Sequence, residues 1–417
     1  MATLPSFRSD ADVLPRALGP IYATALGAVR VVVVTGPRQA GKSTFVATYP
    51  ATADRPYLTL DDPAIRLAAQ RDPRAFLRSE PAMIIDEVQR EPSLVLAIKQ
   101  LVDEDRPPRP GRFVLTGSAN LLMMHQVGDS LAGRAAYLRL GPLTRREALG
   151  LGETGAWTRF FETPRADWLD AVRADPAPAA DWRDAVRRGG FPSVAIGAVS
   201  DDARAIWFDG YVATYLERDL RDLQAVSNLQ DFQALMRAAA LRIGNLLNTA
   251  ELARDVRMPP ATAHQYINLL ETSYQAVRLP AYARNRTTRL IKSPKLYWTD
   301  TGLALHLAGG EPTGAHLENL VLTDLLAWRD TETPRPDVTY YRTAGGMEVD
   351  FVLERRSATI AVEVKSGATP THRDGAQLDR FVVEGGSTVR GGVLLHGGDR
   401  AFWLTERVLA TPWWTVI

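Results

Sequence analysis

Arg30-Val31-Val32-Val33-Val34-Thr35-Gly36-Pro37-Arg38-Gln39-Ala40-Gly41-Lys42-Ser43 is the stretch on which the fold turns. Its apolar half is continuous rather than alternating, which suits a strand buried on both faces of a parallel sheet. Its second half fits GxxxxGK[ST] and runs directly into a helical pattern, Lys42 to Ala47. In that context the glycines let backbone N–H groups turn inward around phosphates, and the helix N-terminus adds positive potential. Lys42 is placed to reach the β/γ oxygens and Ser43 to ligate Mg²⁺, so Gly36, Pro37, Arg38, Gln39, Ala40, Gly41, Lys42, Ser43 and Thr44 form the expected cradle for ATP.

Working outward, Ala82–Asp86 (AMIID) and Arg112–Thr116 (RFVLT) are further continuous apolar runs, with Ser93–Glu104 helical between them. The order βαβαβ predicts an α/β class with a parallel sheet, and Ala136–Leu140 a fourth strand that ends at Gly141-Pro142. Asp86, at a strand end, is expected to hold the magnesium shell, and Glu87 to orient the attacking water. Ser118 and Asn120, just past the third strand, both qualify as polar sensors beside the γ-phosphate, and either also suits a strand-to-turn cap. Arg134 is a candidate for neutralising transition-state charge, in cis or across a subunit boundary, or else a surface arginine.

The chain has 417 residues, which suggests about two to four domains, with a globular 46% hydrophobic and 23% charged composition. Its formal net charge of +1 means that nucleic-acid affinity has to come from local patches. With no cysteine, disulfides, cysteine-ligated zinc, iron–sulfur clusters and thiol catalysis are excluded. The six histidines show no zinc spacing. Met1–Arg16 lacks the apolar core of a secretory signal and no apolar run reaches bilayer length, so a cytoplasmic, non-membrane protein is expected. Among 49 Lys+Arg only Lys42, Lys99, Lys292, Lys295 and Lys365 are lysine, and a retained lysine suggests a slot that needs a compact point charge.

The ordered strings VVTGPRQAGKST, LTLDDP, IIDEVQREPSL, RFVLTGS and SLAGRAAYLRLGPLTRREAL, between Val33 and Glu147, resemble the prokaryotic AAA-type ATPases that carry a C-terminal domain of unknown function. The resemblance continues through Tyr215–Leu220 and Lys295–Gly302 and so covers most of the chain. It implies ATP binding and hydrolysis in an AAA-type P-loop core, followed by a winged-helix segment and a restriction-endonuclease-like tail.

Thr249–Val256 and Pro260–Thr272 read as two helices around a short turn, with Leu252, Val256, Ala263, Ile267 and Leu270 spaced for one buried face. In helix-turn-helix geometry Thr262, Gln265 and Asn268 face a DNA groove. Thr272–Thr299 contains no acid but holds Arg278, Arg284, Arg286, Arg289, Lys292 and Lys295, a patch that matches a phosphate track. Interdomain packing is the competing reading.

In the tail, Asp350 and the triplet Glu363-Val364-Lys365 fall on predicted strands near 348–354 and 358–364. Residues i and i+2 share a strand face, so Glu363 and Lys365 can point at one site. Asp350 and Glu363 are expected to bind one or two Mg²⁺ ions and Lys365 to hold the nucleophile. With Glu318 on the preceding helix and Gln377 on the following one, the set looks like the PD-(D/E)xK nuclease superfamily; it departs from it in Val349 before Asp350 and in the extra carboxylate Glu348, which the pattern does not require. The expected domains are a P-loop core at 1–142, a helical lid or connector at 143–243, a winged-helix-like segment at 244–311 and a nuclease-like domain at 312–417. Three readings stay open: ATP hydrolysis coupled to a DNA-facing C-terminal half, an ATP-dependent switch with a silent nuclease-like scaffold for a protein partner or homo-oligomer, and an ATP-gated Mg²⁺-dependent nuclease.

Overall fold

A computed structural model describes residues 13–117, 131–215, 228–283, 293–343 and 345–417. The chain forms two compact units, the first Met1–Pro142 with Thr272–Tyr274, the second Leu143–Glu271 with Gln275–Ile417.

The first unit is built on five strands: β1 Val31–Thr35, β2 Tyr57–Thr59, β3 Met83–Asp86, β4 Phe113–Thr116 and β5 Ala135–Arg139. All pairings are parallel, in the order β2-β3-β4-β1-β5. Side chains alternate across such a sheet. Val31, Val33, Met83, Ile85, Phe113 and Leu115 therefore enter one apolar core, and Val32, Val34, Ile84 and Val114 enter the other. Helix α1 (Gly19–Ala28) packs Tyr22 and Leu26 into the second core, while the helix Ser93–Glu104 contributes Leu94, Ile98 and Leu101 to the first. Burial on both faces is what makes these strands read as unbroken apolar runs.

In the second unit, the helix Gly314–Thr331 precedes an antiparallel meander of β8 Asp337–Arg342, β9 Glu348–Arg355 and β10 Ala358–Lys365. The helix His372–Gly385 then leads to β11 Val389–His396, which pairs parallel to β10. Two later strands, β12 Phe402–Trp403 and β13 Val408–Pro412, extend the sheet to six strands. Upstream in this unit lie the helices Thr249–Asp255 and Pro260–Thr272 and a two-stranded antiparallel pair, β6 Ala276–Leu279 with β7 Lys295–Trp298. Among the described residues no helix is long and apolar enough to cross a membrane.

Candidate functional site

The loop after β1 has the backbone that its glycines predict. Gly36 has φ 145° and Gly41 φ 89°, and a Cβ at Gly36 would stand 2.0 Å from the Leu140 carbonyl oxygen. Only glycine fits there. Gly41 caps α2 (Lys42–Thr48), which follows directly. Lys42 is buried, and its Nζ donates to the carbonyls of Gly36 at 3.1 Å and Pro37 at 2.7 Å. Arg16, which sequence reasoning passed over, braces the loop by donating to Ala40 O at 2.9 Å and Gly141 O at 2.7 Å.

Asp86 ends β3 beside the loop. Ser43 Oγ donates to its Oδ1 at 3.0 Å, so the two expected magnesium residues meet. Two further donors were not foreseen: Tyr57 OH reaches Oδ2 at 2.6 Å, and the Thr116 hydroxyl donates to Oδ1. Burial and the adjacent Asp86 carboxylate both push the Tyr57 phenol pKa up, so it remains a donor. Glu87 follows with φ 55°, in the left-handed region, and its Oε2 accepts from Gln89 Nε2. Burial first, and the Asp86 charge second, raise the Glu87 pKa above the usual carboxylate range. A raised pKa brings a carboxylate closer to the working range of a general base. Removing the Tyr57 donor while Ser43 and Thr116 remain should lower steady-state phosphate release about tenfold, because hydrogen bonds to charged groups are worth roughly 1.5–3 kcal/mol. Turnover by Tyr57→Phe equal to that of the unsubstituted chain refutes this role.

Arg134 requires a correction. It precedes β5, and its carbonyl accepts from Val31 N at the start of β1, whereas the phosphate loop follows the end of β1. A five-residue strand separates the two edges by about 15 Å. Its guanidinium is committed to Asp103, at 2.6 Å from Nε and 2.8 Å from Nη2. A role in cis on the γ-phosphate is therefore ruled out. Ser118 and Asn120 lie outside the described residues.

In the second unit, Gln265 is exposed and Thr262 and Asn268 are half-buried on the helix Pro260–Thr272, opposite buried Ala263, Ile267 and Leu270. Val256, expected in the buried set, is only half-buried. Arg284, Arg286, Arg289 and Lys292 lie outside the described residues. The two described members of the basic patch are engaged by carboxylates. Arg278 pairs with Glu271, its Nε 2.7 Å from Oε2, and Lys295 is buried among carboxylates.

Those carboxylates are the ones expected in the tail. The β9–β10 register runs to Val362↔Phe351, so its next step sets Glu363 beside Asp350 on one sheet face. Lys365 Nζ donates to Glu363 Oε1 at 2.7 Å, and Asp350 Oδ2 accepts from Val364 N at 2.8 Å. Burial, followed by the nearby Asp350 charge, raises Glu318 to about 7 and Glu363 to about 8. The expected metal arrangement needs correction here, since Lys295 Nζ lies 2.8 Å from Glu348, 3.2 Å from Glu318 and 3.8 Å from Asp350. Glu348, which the sequence pattern does not require, is thus the carboxylate nearest this ammonium. Gln377 is exposed, and its Oε1 accepts from Glu348 N at 2.7 Å, which makes it a brace for β9.

Three family models match successive parts of the chain: an AAA domain at residues 28–149, a domain of unknown function (DUF8612) at 179–314 and a second (DUF4143) at 313–416. An uncharacterized protein of Mycobacterium tuberculosis is 32% identical over 407 residues, spanning 93% of this chain and 81% of the relative; one from Mycobacterium bovis matches to the same extent. The chain belongs to the family of these proteins. The AAA-domain match falls almost wholly in the first unit, a P-loop ATPase fold of the kind that supports nucleotide binding and hydrolysis, and the DUF4143 match falls on the last sheet. Among solved structures, a Walker-type ATPase of Pyrococcus abyssi is 14% identical with a TM-score of 0.44, covering 73% of this chain and 99% of that one. A RuvB variant of Thermotoga maritima is 18% identical with a TM-score of 0.31, covering 63% and 89%.

Proposed function

We propose that the chain is a Mg²⁺-dependent ATPase whose nucleotide state is coupled to a DNA-facing C-terminal half, the nuclease-like pocket being silent. The observation that carries the first part is Ser43 Oγ on Asp86 Oδ1 at 3.0 Å, with Glu87 next in the chain. These residues fit the group they would hold: a hydroxyl and a carboxylate are ordinary magnesium ligands, and the loop at Gly36 has no room for a side chain. Bound Mg²⁺ would supply charge neutralisation across the β- and γ-phosphate oxygens. Lys42 binds phosphate oxygens, the loop N–H groups orient them, and Glu87 positions the water and takes up its proton.

DNA contact is supported by exposed Gln265 with half-buried Thr262 and Asn268 beside it on one helix and by the acid-free, arginine-rich stretch that follows in sequence. The ATP-gated nuclease reading is disfavoured by Lys295 among the tail carboxylates. The test is fluorescence anisotropy of labelled duplex DNA with the Glu87→Gln chain loaded with ATP and the unsubstituted chain loaded with ADP. Coupling predicts affinities that differ about tenfold, within the usual 1–3 kcal/mol for linked sites. Replacing Arg284, Arg286, Arg289 and Lys292 together by Ala should flatten the salt dependence, because fewer counterions are released. Equal affinities in the two nucleotide states overturn the coupling, and an unchanged salt slope returns the basic stretch to interdomain packing.

A further inference from the structure

The C-terminal acid pocket draws its carboxylates from separate stretches: Glu318 on the helix Gly314–Thr331, Glu348 and Asp350 on β9, and Glu363 on β10. A divalent cation would need oxygen ligands converging at roughly 2.0–2.6 Å around one point. Lys295 Nζ occupies that kind of position, with Glu348, Glu318 and Asp350 at 2.8, 3.2 and 3.8 Å. Its side chain is only 4% exposed. Burying a lone ammonium is costly, so such a lysine needs compensating charge. Burial lowers its pKa, but Glu318, Asp350 and Glu348 outweigh that and hold it above the ordinary lysine range.

The lysine is delivered by a clamped strand. β7 pairs with β6 from Lys295 to Trp298, and Asn319 grips it from the helix, its Oδ1 accepting from Trp298 N at 2.7 Å and its Nδ2 donating to Trp298 O at 2.9 Å. Tyr297, also on β7, donates its hydroxyl to Glu318. A second observation concerns the same pocket from β10. Glu363 is 9% exposed, and its Oε2 is buried with no hydrogen-bond partner, an oxygen of the type a metal would ordinarily satisfy.

We propose that Lys295 is the resident cation of this pocket, standing where a nuclease-type site would take a divalent metal, so that the pocket binds no metal while β7 is docked. The inference rests on reading the tail as nuclease-like. It explains why a lysine is kept at this position in a chain that otherwise favours arginine: a compact ammonium fits between three carboxylates where a planar guanidinium does not.

The test is Mn²⁺ uptake by the full chain without nucleotide, followed by electron paramagnetic resonance of the free ion. The probe is Mn²⁺ alone. The unsubstituted chain should show no uptake that Asp350→Asn removes. Lys295→Met and Lys295→Gln should each gain one bound Mn²⁺, at least about tenfold tighter than in the unsubstituted chain, and should lose it when Asp350→Asn is added. Both should also melt several degrees lower and recover part of that loss in Mn²⁺. If the unsubstituted chain takes up Mn²⁺ in an Asp350-dependent way as tightly as the variants, the lysine inference fails and the nuclease-like reading survives. If the folded variants take up none, the pocket is not of metal-binding type and both fail. Should both Lys295 substitutions prevent folding, Asp350-dependent uptake by the unsubstituted chain still overturns the proposal.

Discussion

Glu87→Gln should retain ATP and lose between two and three orders of magnitude in turnover, on the scale of about 10²–10⁴ that a positioned general base contributes. Lys42→Ala should instead lose nucleotide binding, because the compact ammonium that reaches the phosphate oxygens is gone. The two substitutions separate because their groups act at different stages, one on the bound phosphates and the other on the water. The burial-driven rise in the Glu87 pKa adds a pH signature. Glu87 works as the carboxylate, so turnover should fall, as pH is lowered, at a higher pH than an unperturbed glutamate would give. Glu87→Gln should lack that acidic limb in its residual rate. Phosphate release across pH, with nucleotide binding measured in parallel, checks both parts. Glu87→Gln turning over at the unsubstituted rate removes Glu87 from the site.

Much of the first unit was legible because its strands are buried on both faces. Val31–Thr35, Met83–Asp86 and Phe113–Thr116 lie within one residue of the apolar runs that announce them. β2 was not legible: Tyr57–Thr59 is three half-buried residues, too short for a period to appear. Its importance arises from pairing, since the parallel register Thr59↔Asp86 brings Tyr57 up to the Asp86 carboxylate from an edge strand. The same limit explains Arg134. A sequence places it near a strand but cannot say which edge of the sheet that strand starts from, and the register Val31↔Ala135 sets it at the edge away from the phosphate loop.

Lys295 was misread for a related reason. It lies in a basic, acid-free stretch, and local composition there resembles a solvated phosphate-binding surface. Only the β6–β7 pairing and the Asn319 clamp turn it inward, toward carboxylates that follow it by 23, 53 and 55 positions in the chain (Glu318, Glu348, Asp350). The rarity of lysine was the one available signal, and it marked the residue without indicating its partners. β12 and β13 escaped for want of length, since β12 has two residues and the apolar run of β13 is only Val408, Leu409 and Ala410 before Thr411 and Pro412 end it.

Asp175→Ala should cost about 3–5 kcal/mol of stability, the range for removing one partner of a buried ion pair. Asp175 opens a Pro- and Ala-rich segment that reads as a linker, yet its side chain is 0% exposed and its Oδ1 lies 2.7 Å from Arg146 Nη2, itself on a 0% exposed side chain. The Arg146 Nη2 contact is a close charge pair rather than an aligned hydrogen bond, so its strength is mainly Coulombic. Arg146 is also tied to Glu153, at 2.7 Å from Nη1, and to the Val416 carbonyl, at 3.3 Å from Nε. Arg159 reaches the other oxygen of Asp175 at 3.0 Å. Deleting the carboxylate leaves a guanidinium that cannot shed its charge in a space that water does not reach. The melting temperature of the second unit should drop by on the order of 10 °C. The exposed pair Arg380–Glu384, at 2.7 Å, provides the contrast: Arg380→Ala should leave the unfolding transition essentially where it is, because solvent screens the pair. Exchanging both buried partners for apolar residues, as Arg146→Met with Asp175→Leu, should recover much of the loss, since the penalty lies in a buried charge left with only the half-exposed Glu153 to compensate it and not in the missing pair. Thermal and urea unfolding of the three variants decide the matter. A loss below about 1 kcal/mol for Asp175→Ala would mean that water reaches Arg146 and that the segment is the solvated linker its composition suggests.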